Sequence, residues 1–144
     1  MILYLDTSAL IKRYVSETGS LEVRAWLHAA DDTATVLITR AEMSAALNRL
    51  LRMKLLTQED HASALAEFRF DWLYYHRLSV TESLVARADA LACERNLRGY
   101  DAIHLAAALN WQDLLSLPVT LVTYDKELAS AARVLAMAVL PENQ

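Results

Sequence analysis

An α/β fold with a parallel sheet covered on both faces is what this sequence predicts. Two observations carry the expectation. Short runs of apolar and β-branched residues recur along the chain, and stretches with helical spacing separate each run from the next. The runs themselves are mostly apolar instead of alternating, as strands buried on both faces are. The chain has 144 residues, 55% of them apolar, so it can build a sizeable core and is expected to form a single domain over residues 1–144.

The elements follow in order. Residues 2–5 read as the first strand, with Asp6 at its carboxyl end. Thr7 or Ser8 is expected to cap a helix to about residue 15, which the run Glu17-Thr18-Gly19-Ser20 breaks. A second helix covers residues 21–30, and the β-branched stretch 35–38 is the second strand. Thr39 opens a helix to about residue 54, with Met43, Leu47, Leu50 and Leu51 at core spacing. Thr57 opens the next, to about residue 72, with Asp60 completing a capping box. Residues 74–80 give a third strand of mixed pattern. Thr81 caps a helix to about residue 95, residues 96–100 form a loop containing Gly99, and Asp101 starts a strongly apolar helix to about residue 111. The fourth strand is 119–123, a helix runs from Asp125 to about residue 135, and a last strand is 137–140.

Composition excludes several function classes. The only glycines are Gly19 and Gly99, so neither a phosphate-binding P-loop nor a dinucleotide fingerprint can be written. The single cysteine, Cys93, can form no internal disulfide or thiolate metal site, and its apolar helical context predicts a buried, inert thiol. The N-terminal strand has no basic leader, and no uncharged run approaches a membrane span. A soluble cytoplasmic protein is therefore expected. The net charge of −4 does not suggest a general nucleic-acid-binding surface, although net charge says little about where charges lie.

The acids carry the chemistry. Asp6 follows the first strand, Glu42 follows the second within the first turn of a helix, and Asp125 follows the fourth. In an open parallel sheet the carboxyl ends of the strands share one edge, where ligands bind. Topology thus delivers three acids to one edge, and Asp101 joins them if its helix begins there. Gathered carboxylates repel one another unless a cation intervenes. Oxygen ligands without a His or Cys cluster favour Mg²⁺ or Mn²⁺ over zinc. Such an ion lowers the pKa of a bound water and neutralises charge on a phosphodiester, so metal-assisted hydrolysis of a phosphate ester is implied.

Each acid also has a plainer role open to it. Glu42 lies three residues after Thr39, the spacing of a capping box. Asp101 and Asp125 stand at helix starts, where an acid complements the macrodipole. Asp6, ending a buried strand, has a desolvation cost that calls for a partner. His104, one turn after Asp101, has a spacing that can present both to one ion, but its apolar surroundings favour a packed or capping histidine. Lys12, Arg13 and Arg40 could touch phosphates but read more simply as solvated charges.

The same residues resemble a known family. Ile2-Leu3-Tyr4-Leu5-Asp6-Thr7-Ser8-Ala9-Leu10 resembles the opening of PIN domains, in particular VapC-type toxins of bacterial toxin–antitoxin systems. Thr39-Arg40-Ala41-Glu42, Tyr100-Asp101-Ala102-Ile103-His104-Leu105-Ala106 and Thr123-Tyr124-Asp125-Lys126-Glu127-Leu128 are similar to the second, third and fourth acidic motifs, in family order. Residues 57–79 carry no matching motif. The resemblance implies a PIN-like, Rossmann-like three-layer fold with a five-stranded parallel sheet ordered 3-2-1-4-5. It implies RNA cleavage with Mg²⁺ or Mn²⁺ held by Asp6, Glu42, Asp101 and Asp125, with Asp6 and Asp101 central and Asp125 open between a second ion and a tuning role. Ser8 and Thr123 would support this shell by hydrogen bonding. It further implies a homodimer in the free state and a cognate VapB-like antitoxin that covers the groove. Two other classes compete: a phosphatase or phosphoacceptor on a similar sheet, and a non-catalytic partner-binding module. Ser8 stands where a haloacid-dehalogenase-like phosphatase needs its second acid, and the intact acid set argues against the binding module.

Overall fold

The computed structural model describes residues 1–143. Five strands, β1 (Ile2–Leu5), β2 (Asp32–Val36), β3 (His76–Leu78), β4 (Thr120–Val122) and β5 (Ala138–Leu140), pair in parallel in the order β3-β2-β1-β4-β5, as expected. The helices are α1 (Thr7–Tyr14), α2 (Ser20–Ala29), α3 (Thr39–Arg52), α4 (Gln58–Asp71), α5 (Glu82–Arg95), α6 (Gly99–Leu115) and α7 (Lys126–Val134). None of them is long and apolar enough to cross a membrane.

Alternation along β1 sorts the core into two layers. Tyr4 packs with α5, α6 and α7, whereas Leu3 and Leu5 face α1, α3 and α4 on the opposite side. All three side chains are buried, which is why the strand reads as uninterrupted apolar sequence. The chain steps from β1 out to β3 with its helices on one face, then returns to β4 and β5 with its helices on the other. Right-handed crossovers require that change of face when the direction of travel reverses. The reversal falls between β1 and β4, so their carboxyl ends border the crevice where a ligand would bind.

Several boundaries differ from expectation, each for a local reason. β2 starts at Asp32 and ends at Val36, not at 35–38, because pairing of Asp32, Thr33 and Ala34 with Ile2, Leu3 and Tyr4 sets its frame. Ile38 is already helical and caps α3. β3 shrinks to His76–Leu78, preceded by a 3-10 turn at Trp72–Tyr74 that buries Trp72. α6 begins two residues early, so Gly99 lies in the helix and Asp101 in its first turn. Cys93 is exposed instead of buried, since α5 turns Leu84, Ala88 and Leu91 inward and position 93 falls on the opposite side.

Candidate functional site

Asp6 is itself the cap of α1, in place of Thr7 or Ser8: its carboxylate accepts the Ala9 N–H at 3.0 Å. Two hydroxyls complete its surroundings. Ser8 Oγ approaches both carboxylate oxygens at 2.8 and 2.9 Å, and Thr123 Oγ1 donates to Oδ2 at 2.7 Å. The same hydroxyls accept backbone N–H groups, Ser8 from Tyr124 at 2.9 Å and Thr123 from Asp125 at 3.0 Å. The end of β1 is thereby stitched to the segment following β4. Asp6 is only 4% exposed, and burial pushes its carboxyl above the usual range. The positive field of His104 and the three donors pull it back without cancelling that push.

Glu42 does not close a capping box. Thr39, which would be its partner, is buried and bonded to Thr35 at 2.7 Å, and Ile38 takes the cap position. The Glu42 carboxylate instead meets Thr7 Oγ1 at 2.8 Å and His104 Nε2 at 2.7 Å. His104 Nδ1 meets the Tyr4 hydroxyl at 2.9 Å, so a buried imidazole from one helical layer orients an acid from the other. Burial pushes Glu42 up, but the hydrogen bond and charge of His104, with the Thr7 hydroxyl, outweigh it and leave the carboxyl below its ordinary value.

Asp101 and Asp125 share a cationic partner. Asp125 caps α7 by accepting the Leu128 N–H at 2.9 Å. Arg98 spans the pair, Nε to Asp101 Oδ2 at 2.8 Å and a terminal nitrogen to Asp125 Oδ2 at 2.9 Å. All four acids line one cleft of about 170 Å³, together with Thr7, Ser8, Arg98 and His104. A wider groove of about 500 Å³ adjoins it, where Arg95 and Lys126 are mixed with Glu94 and Glu127. That mixture favours no sign of charge, and the acid cleft is where the chemistry concentrates.

Four carboxylates offer hard oxygen donors of the kind Mg²⁺ and Mn²⁺ take. Among the described residues, however, no three His, Cys, Asp or Glu side chains converge closely enough to hold an ion as they stand. Each acid is turned toward a protein partner instead: Asp6 to two hydroxyls, Glu42 to His104, Asp101 and Asp125 to Arg98. The donor chemistry of the set fits a divalent ion.

Comparison with known proteins agrees with fold and motifs. The family model of the PIN domain matches residues 3–134. The chain belongs to the PIN domain family. Among curated PIN relatives, Ribonuclease VapC47 of Mycobacterium tuberculosis is 34% identical over 136 residues, 92% of this chain and 90% of its own. Ribonuclease VapC35 of the same organism is 32% identical over 146 residues, 99% of this chain and 98% of its own. In fold, the chain is similar to FitAcB from Neisseria gonorrhoeae, with a TM-score of 0.63, 22% identity and 96% of each chain covered. It is also similar to VapC20 of Mycobacterium tuberculosis, with a TM-score of 0.65, 18% identity and coverage of 90% and 94%.

Within this PIN domain the four acids named from sequence come to one cleft, with Ser8 and Thr123 holding Asp6. Two neighbours do more than the sequence suggests. His104 is packed, as expected, and it also holds Glu42. Arg98 pairs with Asp101, and a base three residues before an acid at a helix start is a readable ion-pair spacing. Lys12 and Arg13 are engaged elsewhere: Lys12 with Glu17, the Thr18 carbonyl and the Tyr124 ring, Arg13 with Glu67 and Asp71.

Proposed function

We propose that this PIN domain is a metal-dependent endoribonuclease, the toxin of a toxin–antitoxin pair, with Asp6, Glu42, Asp101 and Asp125 as its acidic site. The observation that carries the reading is the meeting of four acids from four distant parts of the chain in one cleft at the topological switch point. The ribonuclease names of relatives more than 30% identical over nearly the whole chain support it. A capping role accounts for Asp125 only in part and for Glu42 not at all, because Glu42 bonds no backbone N–H of its helix.

Asp6 and Asp101 would be the central ligands of a Mg²⁺ or Mn²⁺ ion, with Glu42 holding it directly or through water and Asp125 holding a second ion or tuning the first. When bound, it supplies charge neutralisation for the phosphodiester and an acidified water. The chain's own residues do the rest. Ser8 and Thr123 fix both oxygens of Asp6, and His104 fixes one oxygen of Glu42, so the acids keep their directions without a flexible search. The substrate is RNA in the cytoplasm, the free protein is a homodimer, and a VapB-like antitoxin restrains it.

Purified protein free of antitoxin, incubated with structured RNA, is expected to cleave with Mg²⁺ and not with EDTA. Asp6→Asn and Asp101→Asn are each expected to abolish cleavage, and cleavage unchanged in both would remove the proposed site. Phosphate release from a monoester without RNA cleavage would favour the phosphatase class instead.

A further inference from the structure

Arg98 occupies a peculiar position. It is the only cation paired with the outer acids among the described residues, yet its side chain is 73% exposed. It precedes α6 in extended backbone and makes no side-chain cap bond to the helix. A Cβ at the adjoining Gly99 would meet nothing within 4 Å, so the segment is open on that side. The inner acids, by contrast, are held by hydroxyls and an imidazole that are themselves buried or half-buried.

Two consequences follow from charge and shape. Arg98 holds one oxygen of Asp101 and one of Asp125, so an ion using both acids competes with it, and a divalent charge outcompetes a monovalent one whose own side chain is exposed and screened. A guanidinium displaced from two carboxylates keeps its planar fork, which suits a phosphate as well as it suits a carboxylate. It stays tethered at the rim of the cleft, where a phosphodiester would enter. Lys12 and Arg13 are already committed to acids and a ring elsewhere, so they do not supply that charge.

We propose that Arg98 is the phosphate ligand of this site, parked across Asp101 and Asp125 in the metal-free protein and released to the RNA backbone when a divalent ion takes those carboxylates. The inference rests on the ribonuclease reading above but is tested by binding, so the two can fail separately. The parked state is a competitor for metal, and the released state is a contact for RNA. Removing the side chain therefore moves the two affinities in opposite directions, which a merely structural role would not do.

The test compares wild-type protein, Arg98→Ala and Arg98→Lys, with folding checked by circular dichroism. Calorimetric titration with Mn²⁺ in the absence of RNA is expected to show tighter binding to Arg98→Ala, by roughly 2- to 5-fold, the scale of an exposed ion pair that the metal no longer has to break. Fluorescence anisotropy with labelled single-stranded RNA, with Ca²⁺ in place of Mg²⁺ to prevent cleavage, is expected to show weaker binding. The slope of log affinity against log salt should fall by about 0.7, one phosphate contact on a single strand. Arg98→Lys should keep most of that slope while losing part of the affinity, because the charge remains and the fork does not. Unchanged or weaker Mn²⁺ binding by Arg98→Ala overturns the parked state, and an unchanged salt slope overturns the phosphate contact. If the wild type binds this RNA but never cleaves RNA, the ribonuclease reading fails while both binding results still decide the role of Arg98.

Discussion

The acid cleft has two halves built on opposite plans. Asp6 and Glu42 form an inner half, held by partners that are themselves buried or half-buried: Ser8, Thr123, Thr7 and His104. Asp101 and Asp125, themselves no more exposed than Glu42, form an outer half bridged by one exposed arginine. The inner partners are hydroxyls and an imidazole from packed elements, so they hold the directions of the acids. The outer partner is a long side chain ahead of a helix, so it can leave. A site that must both exclude stray ions and admit the right one is served by this division, with rigidity inside and exchange at the rim.

Function is where the halves should look most alike. Asp6→Asn and Asp101→Asn are each expected to lower RNA cleavage by more than about 100-fold, beyond the usual cost of losing an outer partner of a metal ligand. Initial rates on one RNA at saturating Mg²⁺ measure this. If either variant retains a tenth or more of the activity, that half does not carry the reaction.

The next effect belongs to the inner half alone. His104→Gln removes the imidazole between Tyr4 and Glu42, and cleavage is expected to fall by about 10- to 100-fold while RNA binding stays within a factor of about 2. A comparable loss of RNA affinity would show that His104 acts through general structure instead of through Glu42.

The frame behind the inner half has its own weak point. Gly19 adopts a φ of +91°, and a Cβ there would lie 2.5 Å from the Tyr124 hydroxyl oxygen. The backbone N–H of Tyr124 donates to Ser8, which holds Asp6. Gly19→Ala is therefore expected to cost about 1–3 kcal/mol in denaturant unfolding, from left-handed strain and displacement of the ring. Unchanged stability would mean that Tyr124 yields freely and is not part of the frame.

How much of this was legible beforehand divides along the same line. Strand β1 and its terminal Asp6 were readable because a strand buried on both faces leaves an uninterrupted apolar run, and an acid ending it stands out. The gathering of Asp6 and Asp125 followed from topology, since parallel strands deliver their carboxyl ends to one edge. Ser8 and Thr123 were named as supports by the family resemblance, but the roles of Tyr4, His104 and Arg98 were not readable. Tyr4 and His104 are 100 residues apart, and their bond exists only because β1 and α6 pack together. Thr39 matched a capping box by spacing, yet burial tied its hydroxyl to Thr35 and left Glu42 available to the cleft. The strand ends at 35–38 failed similarly, because pairing with β1 and not local propensity sets where β2 stops.

The smallest effect separates the inner acids from each other, through pH. In metal-free buffer with EDTA, burial holds the Asp6 carboxyl above its ordinary 3.8, so its ionised form opposes folding at neutral pH. Asp6→Asn should raise the melting temperature by a few degrees at pH 7, a gain that shrinks as pH falls through the raised pKa of the wild type and vanishes near 3.8. Glu42 has the opposite sign. Its carboxyl lies below the ordinary 4.5, so it adds stability above that value and loses it as pH falls through the lowered pKa. Glu42→Gln should therefore lower the melting temperature at pH 7, with the deficit closing in acid. Melting curves from pH 7 to pH 3 read both slopes, and two slopes of the same sign would mean that His104 does not offset the burial of Glu42. Opposite signs would mark Asp6 as the acid whose placement costs the fold stability, which is the expected mark of a residue kept for a bound cation and not for packing.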